Sequence, residues 1–324
     1  MSILVFIESA DGEVKKTSKE AVSYAAALAG QQGGGDIIAL LLGTGLSEDR
    51  MKELGKYGAT KVLHVAKEEL NQGVIQAYAS VISQAFEKTA ADIMVLAKSS
   101  LGDPVAARVA VKINAALAAN VIGLPDTSEG FKVKKSIYTG KAFEWISLKA
   151  DKKILAIKKN AIEIKEDGAE ASVEPLEVSL AESDFVGKIT KTEKAEGDVL
   201  LPEADIVVSG GRGLKGPENW GMIENLAKTL GAATGCSKPV SDMDWRPHHE
   251  HVGQTGVKVS PTLYVAVGIS GAIQHLAGVN SSKYIVVINQ DPEAPFFKAA
   301  DYGIVGDAFE IVPKLNEAIK ASQN

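Results

Sequence analysis

Several residue types that carry particular chemistry are scarce in this chain of 324 residues. It has one cysteine, Cys236, which excludes a disulfide framework and any zinc or iron–sulfur site built on cysteine ligands. Acidic residues outnumber basic ones, 41 to 35, and this net charge of −6 argues against nucleic acid as a partner. No hydrophobic run approaches the ~20 residues that cross a bilayer, so we expect no direct membrane insertion.

The residues that are abundant indicate a folded α/β protein. Hydrophobic residues make up 45% of the chain, and its 31 glycines suit tight turns between strands and helices. The length predicts two domains at ~150 residues each. The first residues, MSILVFIES, lack the basic segment and small-residue cleavage site of a signal peptide. We therefore interpret them as a first strand and expect a cytoplasmic location.

The first part of the chain alternates short hydrophobic runs with helical patterns. Strands are predicted at residues 3–7, 36–42, 61–65 and 92–97, with helices between them and a helix at 102–117. This alternation predicts a mostly parallel sheet flanked by helices. From Lys132 to Ile164 the pattern becomes strand-rich, which we interpret as an antiparallel extension. Residues 165–200 are rich in Glu, Lys, Ala and Gly and indicate an exposed link, giving domains 1–194 and 195–324.

The second part of the chain repeats the strand–helix alternation. Its predicted strands are 204–209, 263–267, 284–288 and 304–305, and its predicted helices begin at Pro217, Ala272 and Asp307. Gly, Ser, Asn or Asp follows each strand. Because open parallel sheets bind ligands at the carboxyl ends of their strands, we expect the ligand site in this domain.

Two glycine turns in this domain suggest a nucleotide ligand. Gly211, Gly213 and Gly216 match the GxGxxG dinucleotide fingerprint between a predicted strand and a predicted helix. The acidic residue expected about 20 positions later is missing, so a plain tight turn remains the alternative. A second glycine turn, Gly268–Gly271, again follows a strand and favours nucleotide binding.

Three further features allow two interpretations each. His275 is either a ligand contact or a helix histidine with internal partners. Asp307 either contacts a ligand or caps the last helix. The run from His248 to His251, with Glu250 inside it, could supply metal ligands, but the flanking Pro247 and Gly253 favour a solvated loop.

Longer motifs make the second domain resemble the FAD-binding domain of the electron transfer flavoprotein alpha (large) subunit family. The matching stretches are VVSGGRGLKGPENW, VGQTG, LYVAVGISGAIQHLAG, INQDPEAPFFKAADYGIVGD and VPKL. The first domain is similar more loosely, at VFIES, AKSSLGDPVAARVA and YTGKAFEW. The resemblance implies that the C-terminal domain has a doubly wound FAD-binding fold and that the N-terminal domain packs with a beta (small) subunit.

The resemblance also implies a set of cofactor-binding positions. These are Arg212, Ser237, Lys238, Val252, Gly253, Gln254, Thr255, Ser270, Gly271, Ala272, Ile273, Gln274, His275, Asn289 and Asp307. It places Arg212 and Ser270 at the FAD phosphates, and the Thr255 hydroxyl and His275 at the flavin ring. Asn289 and Asp307 would hold the adenosine end, and no residue is expected to be catalytic or to bind metal.

The function implied by the resemblance is electron transport rather than enzymatic catalysis. Family members are heterodimers with a beta subunit, which usually holds AMP, while the alpha chain holds FAD. The FAD accepts electrons from flavin dehydrogenases, such as the acyl-CoA dehydrogenases of fatty acid β-oxidation, and passes them to a membrane quinone oxidoreductase. The alternative is an NAD-linked or nucleotide-dependent transferase on a similar domain, which would need a nucleophile or base. A nucleotide-sensing module built on the first domain would leave VGQTG and SGAIQH unexplained.

Two positions depart from the family pattern. Lys238 stands where arginine is usual, and His251 stands where glutamine is common before VGQTG. Lysine keeps the charge but lacks the planar guanidinium that stacks on a ring. We therefore expect Lys238 to lie near the flavin and to tune its potentials differently.

Overall fold

A computed structural model describes residues 1–140, 142–187, 189–190 and 201–322. These residues form two compact units, one of residues 1–138 and 142–190 and the other of residues 201–322. The predicted boundary between residues 194 and 195 lies outside the described residues. In the described part of the chain, no helix has the length and apolar character needed to cross a membrane.

The first unit contains a large, mostly parallel sheet. Its strands and a small hairpin are β1 (Ser2–Ile7), β2 (Ser9–Ala10), β3 (Glu13–Val14), β4 (Asp36–Leu42), β5 (Lys61–Val65), β6 (Ile93–Ala97), β7 (Ala116–Val121), β8 (Lys132–Ile137), β9 (Ala142–Ser147), β10 (Lys153–Ile157) and β11 (Ser172–Pro175). The helices are α1 (Lys16–Gln31), α2 (Glu48–Lys52), α3 (Ile75–Lys88) and α4 (Gly102–Ile113). The strand order in the sheet is β11-β5-β4-β1-β6-β10-β7-β8-β9.

Helices cover both faces of this sheet, as the alternation predicted. Along β1, Ile3 and Val5 pack in one core with Tyr24 of α1, whereas Leu4 packs in the other core with Ile82 of α3. Strands buried on both faces have near-continuous hydrophobic runs, and DIIALLL of β4 is such a run.

The antiparallel extension is smaller than predicted. β8 pairs antiparallel with β7 and β9, but β10 runs parallel between β6 and β7. The helix predicted over 102–117 ends at Ile113, and Asn114 takes a left-handed conformation with φ 55°. The following ALAANV has good helix formers, yet pairing with β10 makes it strand β7, because tertiary contacts override local propensity.

The first part of the predicted link, residues 165–200, is mostly exposed as predicted, but it is part of the first unit's sheet rather than a link. β11 joins the sheet beside β5, and the segment before it packs on the chain at Gly55. A Cβ on Gly55 would lie 2.2 Å from the carbonyl oxygen of Ala169, so only glycine permits this approach. Backbone amides of Gly168 and Ala171 donate to carbonyls of the same region. Residues 191–200 lie outside the described residues.

The second unit contains an all-parallel sheet. Its strands are β12 (Ile206–Gly210), β13 (Ala233–Cys236), β14 (Leu263–Val267), β15 (Tyr284–Asn289) and β16 (Tyr302–Val305), in the order β13-β12-β14-β15-β16. The helices are α5 (Gly221–Leu230), α6 (Lys238–Asp242), α7 (Ile273–Val279) and α8 (Ala308–Ser322). Val207 packs in one core with Val279 of α7, and Val208 packs in the other with Ile223 of α5, so helices again cover both faces. The predicted α/β class with two parallel-rich sheets is confirmed, but strand β13 was not predicted.

Candidate functional site

A cavity of about 790 Å³ opens at the carboxyl ends of the strands in the second unit. Gly213 follows β12, Ser237 follows β13, Gly268 follows β14, and Asn289 ends β15, and all four line it. Ligand clefts have volumes of roughly 300–1,000 Å³, so the cavity is large enough for a cofactor.

Most of the predicted site residues line this cavity. They are Arg212, Ser237, Lys238, Val252, Gln254, Thr255, Ser270, Ala272, Gln274, His275 and Asn289. The lining leaves out Gly253, Gly271, Ile273 and Asp307. The lining residues that were not predicted are Gly213, Pro239, Asp242, His251, Gly268, Ile269 and Asp291. Of these, Gly213, Gly268 and Ile269 belong to the two glycine turns of the sequence, and His251 departs from the family motif, whereas Pro239, Asp242 and Asp291 carried no signal.

The two glycine turns pack against each other and form one wall of the cavity. The amide of Gly211 donates to the carbonyl of Val267 at 2.9 Å, and the amide of Gly213 donates to the carbonyl of Gly268 at 3.0 Å. A Cβ on Gly211 would lie 2.2 Å from the Gly268 oxygen. Glycine is therefore required here for close backbone approach, whatever else the turn binds.

The VGQTG loop is fixed at both ends by backbone hydrogen bonds. The amide of Val252 donates to the carbonyl of Cys236 at 2.9 Å, where β13 ends. The amide of Gln254 donates to the carbonyl of Gln274 at 2.8 Å, in the first turn of α7. These bonds bring Thr255 and the start of α7 to the same cavity, although they are distant in sequence.

His275 lines the cavity but is 6% exposed. Its Nε2 and the hydroxyl of Tyr264 form a hydrogen bond of 2.9 Å, and its Nδ1 has no partner of good geometry among the described residues. Burial, and then the proximity of His251, lowers the pKa of His275 to about 4, although a backbone hydrogen bond at Val252 opposes them. The imidazole is therefore neutral near pH 7.

The two residues expected at the adenosine end make local hydrogen bonds. The Asp307 Oδ1 accepts a hydrogen bond from the amide of Phe309 at 2.9 Å. This bond caps α8, as the helix-cap interpretation of Asp307 predicts. The Asn289 Nδ2 donates to the carbonyl of Ile269 at 2.9 Å, and its Oδ1 accepts from the amide of Asp291. Asn289 thereby joins two loops of the cavity.

The charges on the cavity lining are balanced. Arg212 and Lys238 supply two cations, and Asp242 and Asp291 supply two carboxylates. The Lys238 Nζ lies 3.5 Å from the Asp242 Oδ1, four residues later on α6. This exposed ion pair holds the Lys238 side chain weakly, because such pairs are worth little in water.

The histidine run forms a short 3₁₀ turn, His248–Glu250. Arg246 holds this turn through two hydrogen bonds to Glu250, at 2.9 and 2.6 Å. His248 is exposed, but His251 is only 2% exposed, so the interpretation as a solvated loop is wrong for His251. Within the described residues, no group of three or more candidate side chains is placed to hold a metal ion.

Two features bear on the alternative of an enzyme. Burial raises the pKa of the Cys236 thiol to about 12, which keeps it protonated and weakly nucleophilic at neutral pH. Ser241 and His248 lie 3.4 Å apart, Oγ to Nδ1, but neither lines the cavity. Neither feature supplies an activated nucleophile at the candidate site.

Together, a parallel-sheet domain and a cavity at its strand ends form the arrangement in which open α/β sheets bind ligands. A family profile described as "Electron transfer flavoprotein FAD-binding domain" matches residues 200–280, and one described as "Electron transfer flavoprotein domain" matches residues 3–183. The chain belongs to the electron transfer flavoprotein alpha-subunit family, as its motifs indicated. The flavin-binding character of its second domain follows from that membership.

Individual relatives match nearly the whole chain. It is similar to "Electron transfer flavoprotein subunit alpha" of Bacillus subtilis (strain 168), with 38% identity over 98% of this chain and 97% of the relative. The protein of the same name from Syntrophomonas wolfei is 36% identical, over 98% of both chains. "Protein FixB" of Clostridium saccharobutylicum is 33% identical, over 97% of this chain and 94% of the relative.

We predict that His275 makes the stability of the protein depend on pH. A folded-state pKa below the ordinary value means that the unfolded chain binds the proton more tightly. The free energy of unfolding should therefore fall as the pH drops from about 6.5 toward 4, by roughly 3 kcal/mol from this group. Urea denaturation of the full chain across this range measures the effect.

The variant His275→Asn should flatten this part of the pH dependence, since asparagine does not titrate. The control is His249→Asn, because His249 is an exposed histidine of the same unit. The prediction is contradicted if His275→Asn and the control follow the same pH dependence as the unchanged protein.

Proposed function

We propose that this chain binds FAD in the cavity of its second unit and works as an electron carrier. The observation that supports this most is the meeting of the GGRG turn, the VGQTG loop and the SGAIQH segment at one cavity. These three motifs are distant in sequence, and nothing in a plain structural role requires their polar side chains to converge.

The chemistry of the lining fits a flavin nucleotide. Arg212 supplies a cation, and Ser237, Thr255 and Ser270 supply hydroxyl groups, which suit phosphate and polar ring edges. His275 adds the edge of a buried imidazole to the lining, a polar group that can contact the ring of a ligand. The cavity also offers apolar surface for a ring system, as ligand clefts generally do.

Each group of residues has a defined task in this proposal. Arg212 and Ser270 hold the phosphates, while Asn289 shapes the wall at the adenosine end. Thr255 and His275 face the ring, and the neutral His275 offers a hydrogen bond without a fixed charge. Asp307 does not line the cavity; its Oδ1 caps α8, and in this proposal it supports the adenosine end by fixing the start of that helix. When bound, the flavin supplies the redox chemistry, exchanging one or two electrons.

The proposal extends to partners that are known only by family resemblance. The N-terminal domain, residues 1–194, packs with a beta subunit that holds AMP, and the C-terminal domain, residues 195–324, holds FAD. Flavin dehydrogenases, such as acyl-CoA dehydrogenases of fatty acid β-oxidation, donate the electrons in the cytoplasm. A membrane quinone oxidoreductase accepts them, and the chain itself catalyses no conversion of substrate. No observation favours the transferase alternative, since Cys236 is not activated.

Counting the cofactors tests this proposal. The chain is purified together with the beta subunit of the same source, and the small molecules released by denaturation are quantified by mass spectrometry. We expect one FAD and one AMP per heterodimer, and flavin absorbance near roughly 380 and 450 nm before denaturation. A colourless assembly that takes up no FAD contradicts the proposed function. Two FAD molecules would contradict only the assignment of AMP to the beta subunit.

Lys238 should set the reduction potentials of the bound flavin. In Lys238→Arg, a guanidinium replaces the ammonium group at the cavity, and its planar face can stack on an aromatic ring. We expect higher potentials, by roughly 20–40 mV for a one-electron step, the equivalent of about 0.5–1 kcal/mol for a cation over a ring. Spectroscopic redox titration of the assembled protein measures this shift.

The matched control is Lys228→Arg, because Lys228 is exposed on α5 and does not line the cavity. Its potentials should equal those of the unchanged protein. If both electron steps of Lys238→Arg are also unchanged, Lys238 does not act on the flavin.

A further inference from the structure

His251 is a buried imidazole in the wall of the proposed FAD cavity. It lines the cavity, is 2% exposed, and its Nδ1 has no hydrogen-bond partner of good geometry among the described residues. Hydrogen bonds between Arg246 and Glu250 hold the turn that precedes it. The strand end at Cys236 fixes the backbone on the other side, because His251 forms a bridge with it.

The ring of His251 lies behind the loop that carries Gln254 and Thr255. A Cβ on Gly256 would lie 2.7 Å from the His251 Nδ1, and a Cβ on Gly253 would lie 3.2 Å from its Nε2. The imidazole therefore fills the space between two glycines of the loop. The carbonyl of His251 also accepts from the amide of Val257 at 2.7 Å, which closes the loop at its base.

The surroundings of His251 disfavour a charged imidazole. The ring of His248 lies beside it, with ring centroids 5.6 Å apart. Lys238 and Asp242 of α6 interact with His251 electrostatically, and so does His275 of α7. Burial, and then the proximity of His248 and Lys238, lowers the pKa of His251, and Asp242 opposes them only in part. Cys236 stays a neutral thiol and adds no charge.

We propose that His251 is a positioning residue whose neutral imidazole holds the Gly253–Gly256 loop in the conformation that binds FAD, so that its protonation weakens FAD binding. This inference rests on the function proposed above. A doubly protonated imidazole needs an acceptor at both nitrogens, and Nδ1 faces Gly256 without one. A buried charged donor without an acceptor is costly, so protonation moves the ring and the loop in front of it.

The dissociation constant for FAD, measured against pH, tests this role. Apoprotein of the full assembly is titrated with FAD between about pH 7.5 and 5.5, the range in which perturbed histidines titrate. For the unchanged protein, we expect the Kd to rise with falling pH, by up to about tenfold for each pH unit below the pKa of His251. His275 remains in every variant, and its pKa of about 4 lies below the titrated range.

His251→Gln is the decisive variant, because the amide is neutral at every pH and glutamine is common at this position in the family motif. We expect the Kd of this variant to match the unchanged protein at pH 7.5 and to lose the rise at acidic pH. His249→Gln, the same change at an exposed neighbour in the same turn, should keep the rise.

Two results would overturn the assignment. One is a His251→Gln variant whose Kd rises with falling pH as steeply as that of the unchanged protein. The other is tighter binding of FAD by the unchanged protein at acidic pH, which would mean that a charged His251 attracts the cofactor. If the unchanged protein binds no FAD at pH 7.5, it is the proposed function that fails, whatever the variants do.

Discussion

The candidate site depends on the contact between the turns that follow β12 and β14. Because these strands are neighbours in a parallel sheet, their carboxyl ends meet, and the amides of Gly211 and Gly213 bond to the chain at Val267 and Gly268. A side chain at Gly211 would collide with the opposite backbone. The cavity lies between the turn after β12 and the loops at residues 252–257 and 269–275. Arg212, Thr255 and Ser270 line the cavity from these three segments.

The electrostatics of the cavity separate its interior from its rim. In the interior, burial keeps His275 neutral and lowers the pKa of His251. Fixed positive charge is confined to the exposed Arg212 and Lys238, of which Lys238 is already paired with Asp242. A flavin in this cavity would therefore meet hydrogen-bonding groups around its ring and cations nearer solvent. Changes in pH would act on such a cofactor chiefly through the two buried histidines.

Much of this arrangement could be predicted from the sequence, because it is carried by local patterns. Hydrophobic runs such as DIIALLL and LYVAV identify buried strands, and glycine turns directly after strands indicate where a ligand binds.

The features that could not be predicted from the sequence depend on long-range strand pairing. Strand β13 is four residues, ATGC, with poor strand formers, and only its pairing with β12 makes it a strand. If β13 is not predicted, the hydrogen bond from Val252 to Cys236 cannot be predicted either, and the sequence places His251 in an exposed loop. Strand β11, SVEP, follows a charged segment that resembles a linker, and only its pairing with β5 makes it a strand.

Hydrogen–deuterium exchange of the assembled protein, with and without FAD, tests the location of the cofactor most directly. Exchange at backbone amides reports local opening, and a bound ligand slows it where it contacts the chain. The account predicts slower exchange in three separate segments of the second unit, residues 211–213, 252–257 and 269–275, when FAD is bound. Slower exchange confined to the first unit, or no change in these three segments at saturating FAD, would contradict it.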